Sequence, residues 1–217
     1  MRYPAFEMPR RPAAEVRERR AEILRIASQV ASVNGFGALS IGDLADRMSM
    51  SKSGLFAHFG SKQQLQLSAL RAALDVFLAE VWTPAYQART GRERLDALID
   101  AWLSYLEREV FAGGCVLAAA AAEFDAQPGQ MRDEVAAAMH KWLAMLAREI
   151  GIAQAAGEVL TDVSPQDVAF ALNAFATSAN IDYQLHRDTA IFQTARRAMN
   201  RSLGEHRAES PPPAATT

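Results

Sequence analysis

Residues 35–65 read GFGALSIGDLADRMSMSKSGLFAHFGSKQQL, and this stretch holds several helix starts in quick succession. Ser40, Ser51 and Ser61 can each cap a helix, because a serine hydroxyl accepts a hydrogen bond from one of the first backbone N–H groups. Asp43 follows the first serine at the spacing of a capping box. The stretch therefore predicts three helices that begin close together along the chain.

The spacing of these caps predicts a helix-turn-helix. The first two helices span about 41–47 and 52–58, and the turn between them covers 48–50, which is the short turn length of that motif. Two such short helices bury little surface by themselves and need a core shared with their neighbours. We expect that core to include Ile41, Leu44, Ala45, Leu55, Phe56 and Phe59.

Outside this stretch, hydrophobic periodicity predicts long helices. Apolar residues recur at helical spacing over about 13–34, 62–81, 92–111, 115–124, 128–150, 164–183 and 187–203. Pro84 is expected to end the helix that starts at 62, because proline lacks an N–H and clashes with the preceding turn. Half of the residues are apolar, with only 12 glycines and 9 prolines among 217 residues. The predicted fold class is all-α, with about nine helices in all.

Two segments of the opening stretch resemble the DNA-binding domain of the TetR (tetracycline-repressor) family. GFGALSIGDLA at 35–45 fits the family's pattern around the first cap, and SKSGLFAHFGSKQQL at 51–65 fits its recognition-helix pattern. The resemblance implies an N-terminal three-helix DNA-binding head and a larger helical body for ligand binding and dimerisation. Four parts are then expected: a flexible basic arm at 1–12, the helix-turn-helix DNA-binding domain at 13–60, the ligand-binding and dimerisation domain at 61–204, and a disordered tail at 205–217.

A recognition helix must expose one face to enter the DNA major groove, which is about 12 Å wide. Lys52 can donate to guanine, Ser53 can donate or accept, and Phe56 and Ala57 can touch a thymine methyl group. Lys62 lies where a phosphate would pass. The residues expected at the DNA are Ser40, Ser51, Lys52, Ser53, Gly54, Phe56, Ala57, His58 and Lys62. Blander interpretations stay open: Lys52 as a solvated charge, His58 as a surface or interface histidine, and Phe56 as a core residue.

Three positions depart from the family's pattern. Ser49 stands where a glycine is usual in the turn, Gly54 where a threonine or serine is usual, and Phe56 where a tyrosine is usual. Gly54 offers no side-chain contact, and Phe56 has no hydroxyl for a phosphate. Phosphate contacts are then expected to depend more on backbone amides at helix starts and on Ser40, His58 and Lys62.

The charge of the chain is unevenly distributed. Its net charge is −2, but residues 1–62 hold ten Lys and Arg against six Asp and Glu, whereas residues 63–217 hold thirteen against nineteen. A basic head on an acidic body favours contact between the head and a polyanion such as double-stranded DNA. Uneven surface charge without a partner is the alternative.

The resemblance places a small-molecule pocket in the body and the dimer interface on its last two helices. The candidate pocket residues are Trp102, Cys115, Phe124, Trp142, Phe170 and Asn173, with ordinary core packing as the alternative for each. Small residues on the last two helices, Ala179 among them, would let helices of two chains approach closely. Packing within one chain is the alternative there. Gly113 and Gly114 break the helical pattern and are the expected hinge.

Catalytic and metal-binding motifs are missing from the sequence. It holds no Gly-rich phosphate loop, nucleophile elbow or zinc-binding pattern, and its four histidines are scattered. We therefore expect no cofactor, no metal and no enzyme activity. We expect Cys115 to be a small buried residue, with a reactive thiol at a helix start as the alternative. The first 25 residues have no apolar core and the longest apolar run is too short for a membrane span, so we expect no signal peptide and a cytoplasmic location.

The expected function is sequence-specific regulation of transcription. A homodimer would bind an inverted-repeat operator as a repressor and leave it when an unidentified small-molecule effector binds the body. Activation of transcription is a variant of this hypothesis. The alternative is a ligand-binding helical protein or an enzyme that retains the helix-turn-helix only as scaffold.

Overall fold

The computed structural model describes residues 13–204, so the predicted arm at 1–12 and the predicted tail at 205–217 lie outside the described residues. The described part contains helices and no strands, which confirms the all-α prediction. Its helical segments are α1 (Ala13–Asn34), α2 (Ile41–Arg47), α3 (Lys52–Phe59), α4 (Lys62–Phe77, continued through Leu78–Trp82 and Thr83–Tyr86), α5 (Arg92–Glu107), α6 (Val116–Phe124), α7 (Gln130–Ala155), α8 (Pro165–His186) and α9 (Ala190–Leu203).

Serine hydroxyls cap the helices around the predicted helix-turn-helix. Ser40, Ser51 and Ser61 each accept a hydrogen bond from the backbone N–H of the residue three positions on, at 3.1, 3.0 and 3.1 Å. Ser164 caps α8 in the same way at 3.1 Å. A cap of this kind stabilises a helix by about 1 kcal/mol. The local sequence therefore determines where these helices begin.

The turn between α2 and α3 is closed by a pair of backbone hydrogen bonds. Ser49 donates to the Asp46 carbonyl at 3.3 Å, and Met50 donates to the Ala45 carbonyl at 2.9 Å. This is a Schellman motif, which places one residue in the left-handed conformation. Ser49 takes that conformation with φ of 51°, where a residue other than glycine costs about 1–2 kcal/mol. Serine thus retains the turn geometry at a small cost in stability.

The prediction that Pro84 ends the fourth helix is wrong. The helix widens into a π-helical turn over Leu78–Trp82 and continues through Thr83–Tyr86. The Thr83 backbone N–H donates to the Leu78 carbonyl, five residues back. The wider turn makes room for the proline ring, which would clash with a carbonyl in a regular α-helix. Pro84 therefore marks an irregular turn in α4 and not its end.

Two other helix limits differ from the prediction. The fifth helix ends at Glu107 and not near 111, because Glu109 turns the chain with φ of 50° and Phe111 is buried in the turn that follows. The last helix begins at Ala190, since Arg187, with φ of 58°, terminates α8. In both cases a left-handed residue other than glycine ends the helix, and such residues carry a weak sequence signal.

One apolar core joins α1, α2, α3 and the first half of α4. Ile23, Leu44, Leu55 and Leu65 are fully buried there, and each contributes roughly 1.5–3 kcal/mol by leaving water. Phe56 is 51% exposed, so the prediction that it belongs to this core is wrong. It follows Leu55 directly, and because successive residues of a helix are rotated by about 100°, its side chain lies away from the buried face of α3. In the body, α8 packs between α7 and α9.

Candidate nucleic-acid interface

α3 presents one buried face and one exposed face. Leu55 and Phe59 lie four residues apart and are buried against the head core. The side that faces away from the core exposes Lys52, Ser53, Phe56 and Ala57. Phe56 is 51% exposed, so about half of its apolar surface remains available to a partner. The outer face of α3 thus has the composition expected of a surface that contacts a partner.

Arg20 of α1 fixes the C-terminal end of α3. Its guanidinium donates to the His58 carbonyl and, at 3.2 Å, to the Ser68 hydroxyl, and it lies 4.6 Å from the centre of the Phe59 ring. These contacts join α1, α3 and α4 through one side chain. Sequence reasoning missed this role, since Arg20 is one of several arginines in α1 and its partners are distant along the chain.

The first turn of α3 places a cation and hydroxyls side by side. A Cβ atom at Gly42 would lie 3.5 Å from Cε and 3.6 Å from Nζ of Lys52, so the ammonium lies beside the start of α2. The hydroxyls of Ser51 and Ser53 are 3.3 Å apart. Gly54 gives its N–H to Ser51 at 3.0 Å and adds no side chain. These predicted DNA-binding residues therefore form one exposed polar cluster.

Ser40, His58 and Lys62 are positioned by contacts within the protein. The Ser40 hydroxyl donates to the Asp43 carboxylate at 2.7 Å, and His58 is half-buried, with its carbonyl bonded to an arginine. The Lys62 ammonium donates to the Gly37 carbonyl at 2.7 Å. An ammonium has three donors, so this single bond leaves Lys62 able to donate to a phosphate as well.

A carboxylate of the body accepts hydrogen bonds from the loop that leads into α2. Glu123, at the end of α6, accepts hydrogen bonds from the Phe36 N–H at 2.8 Å and the Gly37 N–H at 2.6 Å. We call these two bonds the Glu123 clamp. On the other side of the loop, Gln66 of α4 donates to the Phe36 carbonyl at 2.8 Å. Sequence reasoning missed the clamp, because Glu123 lies 87 positions from Phe36 and 86 positions from Gly37 along the chain.

A second connection joins α1 to the turn after α5. Gln29 donates to the Val110 carbonyl at 2.7 Å, and the Gly113 N–H donates to the Ser32 hydroxyl at 3.2 Å. A Cβ atom at Gly113 would lie 1.7 Å from the Ser32 carbonyl oxygen. The structure thus gives Gly113 a role other than the expected hinge, since glycine is needed there for close backbone approach. Gly114, with φ of 83°, likewise packs against Asn180.

Four of the predicted pocket residues come together in the body. Trp102, Cys115, Trp142 and Asn173 line an inner crevice between α5, α6, α7 and α8. The two indole rings stand at 88° with their centres 4.8 Å apart. The crevice has a volume of about 10 Å³, which holds at most one water molecule. These residues are therefore packed around a narrow gap and not around an open pocket.

Phe124 and Phe170 do not line this crevice. Phe124 is buried at the end of α6, next to the Glu123 clamp. Phe170 is 69% exposed on the outer side of α8, so its expected place with the other pocket residues is wrong. Both residues fit the spacing of an apolar helix face, but spacing alone does not say which neighbour that face meets.

A larger groove, which sequence reasoning missed, lies beside the inner crevice. It has a volume of about 340 Å³ and is lined by Leu74, Phe77, Leu78, Leu117, Glu134, Ala137, Ala138, Lys141, Trp142 and Met145. We call it the outer groove. Phe77, Leu117 and Trp142 line both spaces, so the crevice and the groove share a wall. The outer groove falls in the size range of small-molecule sites.

Two ionisable residues that line these cavities, Cys115 and Glu134, have shifted pKa values. Burial raises the pKa of the Cys115 thiol, so it is protonated and not a reactive thiolate. At the rim of the outer groove, Glu134 accepts two hydrogen bonds of 2.9 Å from Arg71, and this guanidinium lowers the pKa of the carboxyl. Among residues 13–204 there is no group of three or more metal-ligating side chains.

The outer side of α8 carries an apolar stripe. Its exposed members recur at helical spacing: Phe170, Ala174, Ser178, Ile181 and Leu185. We call this set the α8 stripe. Ala179 is only 2% exposed and packs within its own chain, so its expected place between two chains is wrong.

No helix in the described part of the chain has the length and apolar character needed to cross a membrane.

Two family models match this chain and together span most of it. The model for bacterial regulatory proteins of the tetR family matches residues 23–69. The model described as a tetracyclin repressor-like C-terminal domain matches residues 91–199. The first covers the helix-turn-helix with the adjoining parts of α1 and α4, and the second runs from α5 into α9.

The chain is also similar to two transcriptional regulators in sequence and to a TetR regulator in structure. The chain is 33% identical to the transcriptional activator FasR of Mycolicibacterium smegmatis over 92 residues, 42% of each chain, and 30% identical to the transcriptional repressor KstR2 of Mycobacterium tuberculosis over 97 residues, 45% of this chain and 48% of that protein. It thus matches less than half the length of either relative. A TetR regulator from Chloroflexus aurantiacus shares the fold with a TM-score of 0.79 at 22% identity, over 86% of this chain and 94% of the other. The chain belongs to the TetR family of bacterial regulatory proteins.

Proposed function

We propose that this protein is a homodimeric transcriptional repressor that binds an inverted-repeat operator through α3 and leaves it when a small molecule binds the body. The observation that carries the proposal is the exposed face of α3. It presents Lys52, Ser53, Phe56 and Ala57 to solvent, while a serine cap and Arg20 hold the helix at its two ends. A rigid helix with such a face fits the major groove.

The outer face of α3 divides into base-reading and positioning groups. Lys52 can donate to guanine O6 or N7, and Phe56 and Ala57 can contact a thymine methyl group. Ser40 and Lys62 flank α3 at helix starts, where backbone N–H groups also favour a phosphate. Lys52 thus supplies sequence preference, and Lys62 supplies affinity for any duplex.

Dimer formation is required to read two half-sites of an inverted repeat. The α8 stripe supports a two-fold interface, because an exposed apolar helix face of this length needs a partner. On α9, by contrast, Gln193, Thr194, Arg197 and Arg201 are exposed and polar. The interface is therefore centred on α8, with α9 at its edge.

Release from DNA requires that the small molecule bind two arrangements of head and body with different affinity. The head is attached to the body at three places: the continuous helix α4, the Glu123 clamp, and the contact of Gln29 with the turn after α5. The outer groove is lined by α4 and α7. A molecule in that groove acts directly on the helix that carries the head.

Two alternatives to a repressor remain to be compared: an activator of transcription, and an enzyme or ligand carrier. One relative is named an activator and the other a repressor, and activation is the variant of this proposal. The exposed outer face of α3, with Lys52 and Ser53 beside Phe56, favours a DNA-binding regulator over an enzyme or carrier that retains the helix-turn-helix only as scaffold. We therefore propose a non-enzymatic regulator without a cofactor that acts in the cytoplasm, where the chromosome is accessible.

The test is binding of the full chain to DNA. Selection from a random duplex pool, followed by fluorescence anisotropy, should return an inverted repeat with half-sites spaced by whole helical turns. Lys52→Ala should weaken binding to the selected site, whereas Lys141→Ala, an exposed lysine of the body, should not. Recovery of no preferred sequence, or equal loss in both variants, would remove the proposal.

A further inference from the structure

Among the described residues, four buried side-chain groups of the body have no hydrogen-bond partner: Trp102 Nε1, Tyr105 Oη, Trp142 Nε1 and Gln184 Nε2. Two of them, the indole N–H groups, belong to residues that line the inner crevice. Trp102 and Trp142 are 3% and 4% exposed, and among the described residues neither indole Nε1–H has a hydrogen-bond partner. Buried donors are nearly always paired with protein, water or ligand. Both residues line the inner crevice, whose volume of about 10 Å³ admits a single oxygen atom and little more.

The surroundings of these donors are uncharged. The Cys115 thiol, which also lines the crevice, stays protonated because burial raises its pKa. Asn173 and Thr177 complete the polar lining with neutral groups. Ionic side chains line the outer groove and not the crevice: Lys141 is exposed, and Glu134 is already paired with an arginine. An anion in the crevice would be desolvated without a partner cation, which is unfavourable.

The outer groove supplies the apolar part of the site. Most of its lining is aliphatic or aromatic, and it meets the inner crevice at Phe77, Leu117 and Trp142. The Phe77 and Trp142 rings meet edge to face with their centres 4.9 Å apart. Leu117 and Met145 nearby are flexible side chains that adapt to different shapes. A small movement of these side chains would join the two spaces into one elongated site.

We propose that the outer groove and the inner crevice together bind an apolar small molecule with a neutral hydrogen-bond acceptor, a carbonyl oxygen, at one end. The apolar body fills the outer groove, and the carbonyl oxygen reaches the crevice and accepts from the indole N–H groups of Trp102 and Trp142. The inference deepens the proposed function, on which it rests, by naming the chemical class of the effector.

The groove also explains how such a molecule would reach the head. Leu74, Phe77 and Leu78 belong to α4, and Leu78 begins the π-helical turn. Single π-helical turns inside α-helices are frequently found at functional sites. Opening of the wall between Phe77 and Trp142 displaces α4 from α7 at that turn, and α4 carries the head.

The test compares three probes of equal chain length: methyl heptyl ketone, nonanoate and nonylamine. Dissociation constants are measured on the full chain without DNA, by tryptophan fluorescence and by thermal shift. The ketone should bind at least about tenfold more tightly than the amine, a ratio that corresponds to about 1.4 kcal/mol, and more tightly than the carboxylate. Trp102→Phe and Trp142→Phe keep an aromatic ring but remove the donor, so each should reduce the ratio. Trp82→Phe, which lies outside both cavities, is the matched control.

A measurement on the wild-type chain covers the case in which a variant does not fold. The chain has 3 tryptophans, and the ketone should shift the indole N–H resonances of Trp102 and Trp142 further than that of Trp82, which lies outside both cavities. Equal affinity for ketone and amine, tighter binding of the carboxylate, or unshifted indole resonances with the ketone would each overturn the inference. Loss of operator binding in a DNA assay would instead count against the proposed function, because the ligand measurements contain no DNA.

Discussion

Replacement of Glu123 tests whether the clamp holds the head to the body. Glu123→Ala removes both acceptors and leaves the N–H groups of Phe36 and Gly37 without this partner. Glu123→Gln retains one acceptor oxygen but removes the charge. The two variants therefore give a graded loss of the same contact.

The expected magnitude follows from the two distances, 2.8 and 2.6 Å, which are those of charge-assisted hydrogen bonds. Such bonds contribute about 1.5–3 kcal/mol each when buried, and the half-buried position of Glu123 favours the lower value. We expect Glu123→Gln to lower the free energy of unfolding by about 1.5 kcal/mol and Glu123→Ala by about 3 kcal/mol. For a chain of this size these losses correspond to decreases in Tm of about 3–6 °C and 6–12 °C.

Two measurements check this prediction. Thermal unfolding gives the change in Tm, and amide hydrogen exchange gives the protection of the Phe36 and Gly37 N–H groups, which should fall about tenfold or more. Asp125→Asn is the matched control, since Asp125 is an exposed carboxylate just after the same helix. If Glu123→Gln melts with the control and both amides keep their protection, the clamp contributes nothing and the reasoning is refuted.

Three further predictions concern DNA, assembly and pH. Lys52→Ala should cost about 1–3 kcal/mol and relax the preference at one base pair per half-site, whereas Lys62→Ala should weaken binding to every duplex and reduce the salt slope by about one. Anisotropy titrations at several salt concentrations separate the two, and the roles are wrongly assigned if only Lys62→Ala alters base preference. Ile181→Arg should convert the dimer to monomer by placing a charge in the α8 stripe, and a dimer retained in sedimentation would move the interface elsewhere. Glu134→Gln should lower Tm at neutral pH, because the pKa of Glu134 is held below its usual range by Arg71. The difference in Tm between variant and wild type should vanish as the pH falls through that lowered pKa. A difference in Tm that persists in acid would exclude this ion pair as its cause.

The parts of the fold that could be predicted from sequence are those with local causes. A serine hydroxyl reaches an N–H three positions away, so the starts of α2, α3 and α4 could be placed to the residue. The alternation of buried and exposed positions on α3 follows from helical geometry in the same way. Both features are determined within a few residues of sequence.

The parts that could not be predicted depend on distant neighbours. Glu123 and Gly37 are joined across the chain, and the continuation of α4 past Pro84 depends on a π-helical turn that has no sequence signature of its own. Ala179 and Ile181 are both small-to-medium apolar residues on α8, yet one is buried in its own chain and the other is exposed. Only the packed structure shows which side of a helix meets its own subunit.

The close approach of Gly113 to Ser32 fixes the distance between α1 and the turn after α5. α1 has 22 residues and a length of about 33 Å, and the contact lies near its C-terminal end, so a displacement there is amplified toward the opposite end. A Cβ atom at 113 would meet the Ser32 carbonyl at 1.7 Å, and ordinary contact requires the two backbones to move apart by about 2 Å. Any side chain at 113 would thus push α1 away from the turn after α5, without any ligand. The position of the head relative to the body therefore depends on the absence of a side chain at this one residue.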